Sequence, residues 1–490
     1  MINTVYELIT DVMAKQYPDR VAFRYVAADG KTVVEKTYAQ YVQDIRRAVT
    51  YFKENIPDIK GKRVGIMSRN CYEYGVNSFG AILAGAVVVT INQKKTWPEL
   101  EYELGLVEPS LIVNDGIDYG CRPDIEAAYG DKLRPMDAFK DSAPAELVDC
   151  VGHDDLMVLM FTSGTTGRSK GVMLSEKNYF TACQMYIDGQ KDILDQEERL
   201  APQYLDRNFS HFTLVPMFHL AGFICYFVYG IQGWTLNLCC DARDLRRDMS
   251  LMHSDAMSTP PVLVEMIYNE VKRGHADRLN GLWNLSCSSA ILDPAILSEL
   301  VKNGFYINQC YSMTELAGYG LLNVTQEGDH LRALGKPDGF CEVKVDETGE
   351  ICVRGGCVML GYYKDPEATA ETIDKDGWLH TGDLARVDEE GYYYMTGRKK
   401  NLIILDSGEN VSPEELEKLL GKCDAIKECI VKEMGKKIGT VVCCEDDKQQ
   451  QVKAFVTELN RTLPLYKRIS VVECSAEPLP RNALGKLLRK

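Results

Sequence analysis

Between Phe161 and Ser175 the chain reads FTSGTTGRSKGVMLS. Thr162, Ser163, Gly164, Thr165, Thr166 and Gly167 mix hydroxyls with glycines, and Lys170 follows three residues on. Glycines let backbone N–H groups turn toward a bound anion, hydroxyls add donors, and the lysine adds a cation. Such a run suits a phosphate cradle. It is not a Walker A loop. Counted from Gly164, that pattern needs Gly-Lys at 169–170, and the chain has Ser169-Lys170. A second cluster, QCYSMTELAG, offers the Tyr311 ring for stacking on a purine, the Thr314 hydroxyl, and the Glu315 carboxylate for Mg²⁺. In a third, Asp383 lies in a Gly-Asp turn able to bind a ribose diol, and Arg398 can fork onto ribose or phosphate oxygens. The fourth is the C-terminal PLPRNALGKLLRK, where Lys486 follows Gly485 and can be delivered from a separate segment. Taken singly, the first and last of these have bland readings: a solvated Gly/Thr turn and a solvated basic tail.

The elements that must carry these residues have two textures. RVGIMSRN, CYEYGVNSFGAILAGA and VVVTIN read as strand, helix and strand, the βαβ unit of a parallel sheet. The small residues Gly80, Ala81, Ala84, Gly85 and Ala86 suit a helix packed close to a sheet. After about Gly349 the segments shorten: GEICVRGGCVMLGYY and GYYYMTGRKKNLIIL are β segments with glycine turns. Ser412 then reads as a helix N-cap, with Pro413 at the first helical position and Glu414 and Glu415 in the first turn. AIKECIVKEM and KIGTVVCCED read as a strand pair, and QQQVKAFVTELNRTL as a helix with Val452, Phe455, Val456 and Leu459 on one face. The expected fold is a large N-terminal α/β domain (1–397) with parallel sheets and helices. A linker at 398–400 would join it to a small mobile α+β domain (401–490).

Bulk properties bound the function. A chain of 490 residues exceeds one compact core. A hydrophobic fraction of 45% and a charged fraction of 26% are ordinary for a globular protein. The net charge of −15 argues against nucleic acid or an anionic membrane as partner. The 17 cysteines include no Cys-x-x-Cys spacing, so neither a zinc ribbon nor a redox pair is indicated. Adjacent pairs such as Cys239–Cys240 and Cys443–Cys444 read as buried small hydrophobes. With no signal-like N-terminus and no run of about 20 apolar residues, a cytoplasmic protein without integral membrane association is expected.

In their order along the chain the clusters cease to be ambiguous. RVGIMSRN, the phosphate loop, PMFHLAGF, YSMTE, GWLHTGDLA, GRKKNLI, GENVSPEELE and PRNALGK together resemble the adenylate-forming superfamily, in its acyl-CoA synthetase branch. The resemblance runs from about residue 5 to the end of the chain. It implies that Thr162, Ser163, Gly164, Thr165, Thr166, Gly167 and Lys170 hold the β- and γ-phosphates of ATP. It implies an adenine-side loop at Ser288, Ser289 and Ala290, with Tyr311, Ser312, Met313 and Thr314 completing the nucleotide site and Glu315 holding Mg²⁺. Asp383 and Arg398 would bind the ribose, Lys486 the bridging oxygen and α-phosphate, and His219 would lie between acyl pocket and thiol channel. Lys400 would be the hinge, and Gly408 would meet pantetheine. Departures are CSSAIL at the adenine loop, Ser312 for a common glycine, Ser169 for a common proline and Asn482 for a common threonine. None removes a charge the chemistry needs.

The reaction implied is activation of a carboxylic acid as its acyl-adenylate, then transfer to a thiol. Coenzyme A is the expected acceptor, with the phosphopantetheine of an acyl carrier protein as the alternative. Amino-acid-activating relatives place an aspartate after the phenylalanine of PMF; here His219 stands there, and no acid follows up to Ile224. The apolar run to Tyr229 and the TPPVLVEMIYNEV stretch point to a fatty acid or aryl acid. A reading of another class, an inactive adenylate-binding sensor, is opposed by intact Lys170, Glu315, Asp383 and Lys486.

Overall fold

The protein is described as a computed structural model covering residues 2–162, 168–196, 209–288, 292–326, 328–337, 339–405, 410–435, 437–481 and 487–488. Its contacts divide the chain into two compact units. The first is Met1–Val343 with Val353–Leu379; the second is Lys344–Cys352 with His380–Lys490.

Two large sheets organise the first unit. One runs, edge to edge, Gly318–Asn323, Tyr306–Met313, Asn284–Ser288, Ala256–Thr259, Ser210–Thr213, Thr235–Leu238, Val21–Val26 and Val33–Thr37. Its interior pairings are parallel, and only the strand at each end is antiparallel. The other runs Gly361–Tyr362, Lys170–Leu174, Val158–Thr162, Val87–Thr90, Arg63–Met67, Leu111–Asn114 and Leu133–Pro135. Arg63–Met67 and Val87–Thr90 are parallel neighbours joined by the helix Tyr72–Leu83, the expected βαβ unit. Their central residues, Val64, Ile66, Val88 and Val89, are fully buried, as parallel strands covered on both faces require.

One packing expectation is corrected. Gly80 does not serve helix-to-sheet contact. A Cβ there would lie 2.4 Å from the Cβ of Ala48, on the helix Tyr38–Asn55. A Cβ on Gly75 would meet the Tyr41 hydroxyl and the Tyr226 ring. The small residues therefore let one helix approach other helices, a choice that the helical period alone does not determine.

The second unit contains the antiparallel pair Leu379–Val387 and Tyr393–Arg398, then the helix Pro413–Leu420. Glu428–Glu433 pairs antiparallel with Ile438–Cys443, which pairs parallel with Val471–Ser475 across the helix Gln449–Thr462. Val452 and Val456 are buried on that helix, with Phe455 and Leu459 half-buried beside them, as the spacing predicts. Ser412 occupies the N-cap, but its hydroxyl donates to the Thr396 carbonyl and caps nothing. This bond helps explain why contacts group the hairpin 379–398 with the C-terminal segment. The three passages of the chain between units fall within the strands Cys341–Val345 and Glu350–Gly355 and at the start of Leu379–Val387. None of the cysteines is disulfide-bonded. Among the described residues, no helix is long and apolar enough to cross a membrane.

Candidate functional site

In the first unit the strands Asn284–Ser288 and Tyr306–Met313 run parallel, with Ser288 beside Cys310. Ligands of open parallel sheets gather beyond the carboxyl ends of such strands. Ser288 ends one strand; Tyr311, Ser312 and Met313 end the next, and Tyr311 is buried. The chain then makes a short turn over Thr314–Leu316, which sets Glu315 at the strand's end.

The phosphate-loop stem is a tight antiparallel pair, with Thr162 opposite Lys170. On the far edge of Lys170–Leu174 lies the two-residue strand Gly361–Tyr362, paired through Met173 and Val172. Backbone bonds fix this strand: Met359 N–H donates to the Glu315 carbonyl at 2.9 Å, and Leu360 N–H to that of Met173 at 2.9 Å. The Tyr362 hydroxyl thereby donates to Glu315 Oε1 at 3.0 Å. The Lys170 ammonium lies 4.7 Å from the centroid of the same ring. Two residues selected for phosphate and metal thus converge on a tyrosine that the spacing analysis passed over. Burial, and then the Glu315 charge, push the Tyr362 phenol well above its ordinary value, so it stays a donor.

His219 caps the helix Leu220–Gln232, its Nδ1 accepting from Ala221 N–H at 3.3 Å. The acceptor role of Nδ1 places the ring proton on Nε2, and burial lowers the imidazole's pKa, keeping it neutral. The turn before it is clamped. Asn70 of RVGIMSRN donates to the Val215 carbonyl at 3.0 Å and accepts from Met217 N–H at 3.0 Å. Thr90 of VVVTIN donates to the Phe218 carbonyl at 3.0 Å. Gly222 lets the helix approach this turn, since a Cβ there would meet the Pro216 oxygen at 2.3 Å. The apolar run to Tyr229, expected to line an acyl pocket, is mostly core. Phe223 and Phe227 are fully buried, with Phe227 stacked 4.8 Å from Tyr179. Only His219 and Ala221, at its N-terminal end, keep partial exposure.

In the second unit Asp383 and Arg398 are direct cross-strand partners, and Arg398 Nε lies 2.8 Å from Asp383 Oδ1. Asp383 is buried. The preceding turn is held by Glu350, which accepts from Gly382 N–H at 2.7 Å and pairs with Lys399 at 2.8 Å. That pairing raises the lysine's pKa. Lys400 is exposed in the turn Lys399–Asn401. Ser163, Gly164, Thr165, Thr166, Gly167, Ser289, Ala290, Gly408 and Lys486 lie outside the described residues.

The sequence profile of the AMP-binding enzyme family matches residues 11–363. A feruloyl-CoA synthase of an Amycolatopsis species is 30% identical, covering 88% of this chain and 88% of its own length. A long-chain-fatty-acid–CoA ligase of Escherichia coli O157:H7 is 27% identical over 93% of this chain and 89% of its own. Among solved structures, the o-succinylbenzoate coenzyme A synthetase of Bacillus subtilis with ATP and magnesium superposes with a TM-score of 0.80 at 23% identity. It covers 99% of this chain and 97% of its own. With the family profile spanning most of the first unit and a feruloyl-CoA synthase 30% identical over most of both chains, this chain belongs to the AMP-binding enzymes, in their acyl-CoA synthetase branch.

Proposed function

We propose that the protein joins an apolar carboxylic acid, fatty or aryl, to the thiol of coenzyme A at the expense of ATP, through an acyl-adenylate. What supports this reading is the convergence on Tyr362 of Lys170, a cation suited to phosphate, and Glu315, a carboxylate suited to a metal. The acid is ionised at neutral pH and needs no general base. Its oxygen attacks the α-phosphorus, the new P–O bond forms, and the bond to pyrophosphate breaks. Charge moves onto phosphate oxygens, so fixed donors and cations there lower the barrier. Lys170 and Thr162, cross-strand partners in the loop stem, would meet that charge. Asp383, steadied by Arg398, takes the ribose hydroxyls.

Glu315 fits a magnesium ion: it is a hard oxygen donor already oriented by a hydroxyl on one oxygen. Held by Glu315, Mg²⁺ would supply positive charge to the phosphate oxygens. In the second half-reaction the thiol loses its proton to water, its sulfur bonds to the acyl carbon, and the bond from that carbon to AMP breaks. Neutral His219, its ring proton on Nε2, would donate a hydrogen bond to the acyl carbonyl oxygen there. Presenting Lys486 for the first step and the Gly408 region for the second requires the C-terminal segment to turn about residues 398–400. A carrier protein presents the same pantetheine arm, and side-by-side assay of coenzyme A and a carrier protein decides between acceptors.

The test is acid-dependent pyrophosphate release over a panel of fatty, aryl and amino acids. Apolar acids are expected to give higher kcat/KM than any α-amino acid, with Mg²⁺ required and Glu315→Ala losing most activity. Release of ADP, or an amino acid as best substrate, overturns the reading.

A further inference from the structure

The Lys170 ammonium and the Glu315 carboxylate bear opposite charges and serve one bound nucleotide. Placed within reach of each other in a partly buried site, such groups tend to pair, and a paired carboxylate is a poorer metal ligand. Tyr362 takes both. Its hydroxyl holds one carboxylate oxygen at 3.0 Å, and its ring face holds the ammonium 4.7 Å from the centroid. The phenol is fixed in turn. Tyr362 N–H donates to Thr369 Oγ1 at 2.8 Å, and its strand is paired to Met173 and Val172. Only 7% of the residue is exposed. A cation on a ring face is held without surrendering its charge to a counter-ion. A hydrogen bond to a metal-binding carboxylate fixes its rotamer.

We infer that Tyr362 is a positioning residue for adenylation: it holds Glu315 oriented for the metal and keeps Lys170 apart from it, available to phosphate. The inference rests on the proposed reaction, and its test reads binding, so the two fail separately. Wild type lacking acid-dependent pyrophosphate release refutes the reaction, whereas the binding measurements below address Tyr362 alone.

Two variants divide the two contacts. Tyr362→Phe keeps the ring face and the packing but loses the hydroxyl. Tyr362→Leu loses both, which frees Lys170 to pair with Glu315. Mn²⁺ binding in the presence of ATP, without acid substrate, is read by electron paramagnetic resonance. Metal-free ATP binding is read by calorimetry, and thermal melting confirms folding. Tyr362→Phe is expected to weaken Mn²⁺ binding roughly tenfold, the lower end for loss of such an outer partner, and to leave metal-free ATP binding unchanged. Tyr362→Leu is expected to weaken both. Should Tyr362→Leu not fold, Tyr362→Phe decides alone, with Glu315→Gln marking full loss of the carboxylate. Mn²⁺ affinity in Tyr362→Phe equal to wild type, or a matching loss of metal-free ATP binding in that variant, overturns the inference.

Discussion

Asn70 illustrates how a residue outside the chemistry controls it. Its amide spans two backbone groups of the turn that leads into His219: the Val215 carbonyl and the Met217 N–H, each at 3.0 Å. Asn70 is 5% exposed and Met217 is fully buried. Asn70→Ala leaves the buried Met217 N–H without that acceptor, which costs about 1–3 kcal/mol. The Val215 carbonyl is only half-buried, so water recovers part of its loss, about 1 kcal/mol. The sum is about 3 kcal/mol. If the whole first unit bears it, urea unfolding shows the loss and activity below the midpoint is unchanged. If the turn opens locally, global stability falls less, and kcat/KM for acid-dependent pyrophosphate release falls by roughly 100-fold, the same energy expressed at the site. Asn70→Asp separates the two bonds: it keeps the acceptor for Met217 and sets an oxygen against the Val215 oxygen. Asn70→Ala with stability within about 0.5 kcal/mol of wild type and an unchanged kcat/KM would refute the clamp.

Glycines give a contrast of sign. Gly222→Ala pushes a methyl into the Pro216 oxygen and should cost about 1–3 kcal/mol and lower activity, whereas Gly105→Ala, at an exposed position of the helix Trp97–Val107 with open space around its Cβ, should gain about 0.5–1 kcal/mol. Both are read by urea unfolding. A pH dependence follows from Glu176, whose carboxyl burial raises from 4.5 to about 7, against the opposing bond from Val5 N–H. The folded state keeps this proton over a range where the unfolded chain has lost it. Stability therefore falls as pH rises from about 4.5 to about 7 and is flat above; 2.5 pH units correspond to roughly 3 kcal/mol. Glu176→Gln should remove that slope and stabilise above pH 7 but not at pH 4.5; equal curves for both proteins across the range defeat the assignment. For the half-reactions, Lys486→Ala should lose roughly 10²–10³ in adenylation yet still convert a premade acyl-adenylate to thioester. Lys400→Pro, which fixes φ, should do the reverse in single-turnover assays. Equal loss of both steps in both variants contradicts alternation.

What the sequence made legible was local. The strand–helix–strand at 63–90, the strand pair at 428–443 and the amphipathic helix at 449–462 each follow from a period visible within a few residues. The pairing of Asp383 with Arg398 spans a single hairpin, so neighbouring motifs carry both partners. Less legible was anything joining distant segments by backbone. Asn70 meets Val215 across 145 residues through an amide that any surface turn could hold. Tyr362 meets Glu315 across 47, its register set by a two-residue strand too short to show a period. The parallel pairing of Val21–Val26 with Thr235–Leu238 has the same character. The apolar helix after His219 was ambiguous for another reason: core filling and pocket lining select the same side chains.

The chain passes between its two compact units three times, and each passage lies within or at the start of a β-strand. Beyond Arg398 the polypeptide continues as a single thread through the turn Lys399–Asn401. A pivot on one thread needs only a few backbone torsions to change. Among the described residues, two side-chain bonds reach across it within the second unit: Ser412 to the Thr396 carbonyl, and Asn401 to Glu414. They can break and re-form at small cost, so the pivot proposed for residues 398–400 need not coincide with the places where the chain passes between its packed units.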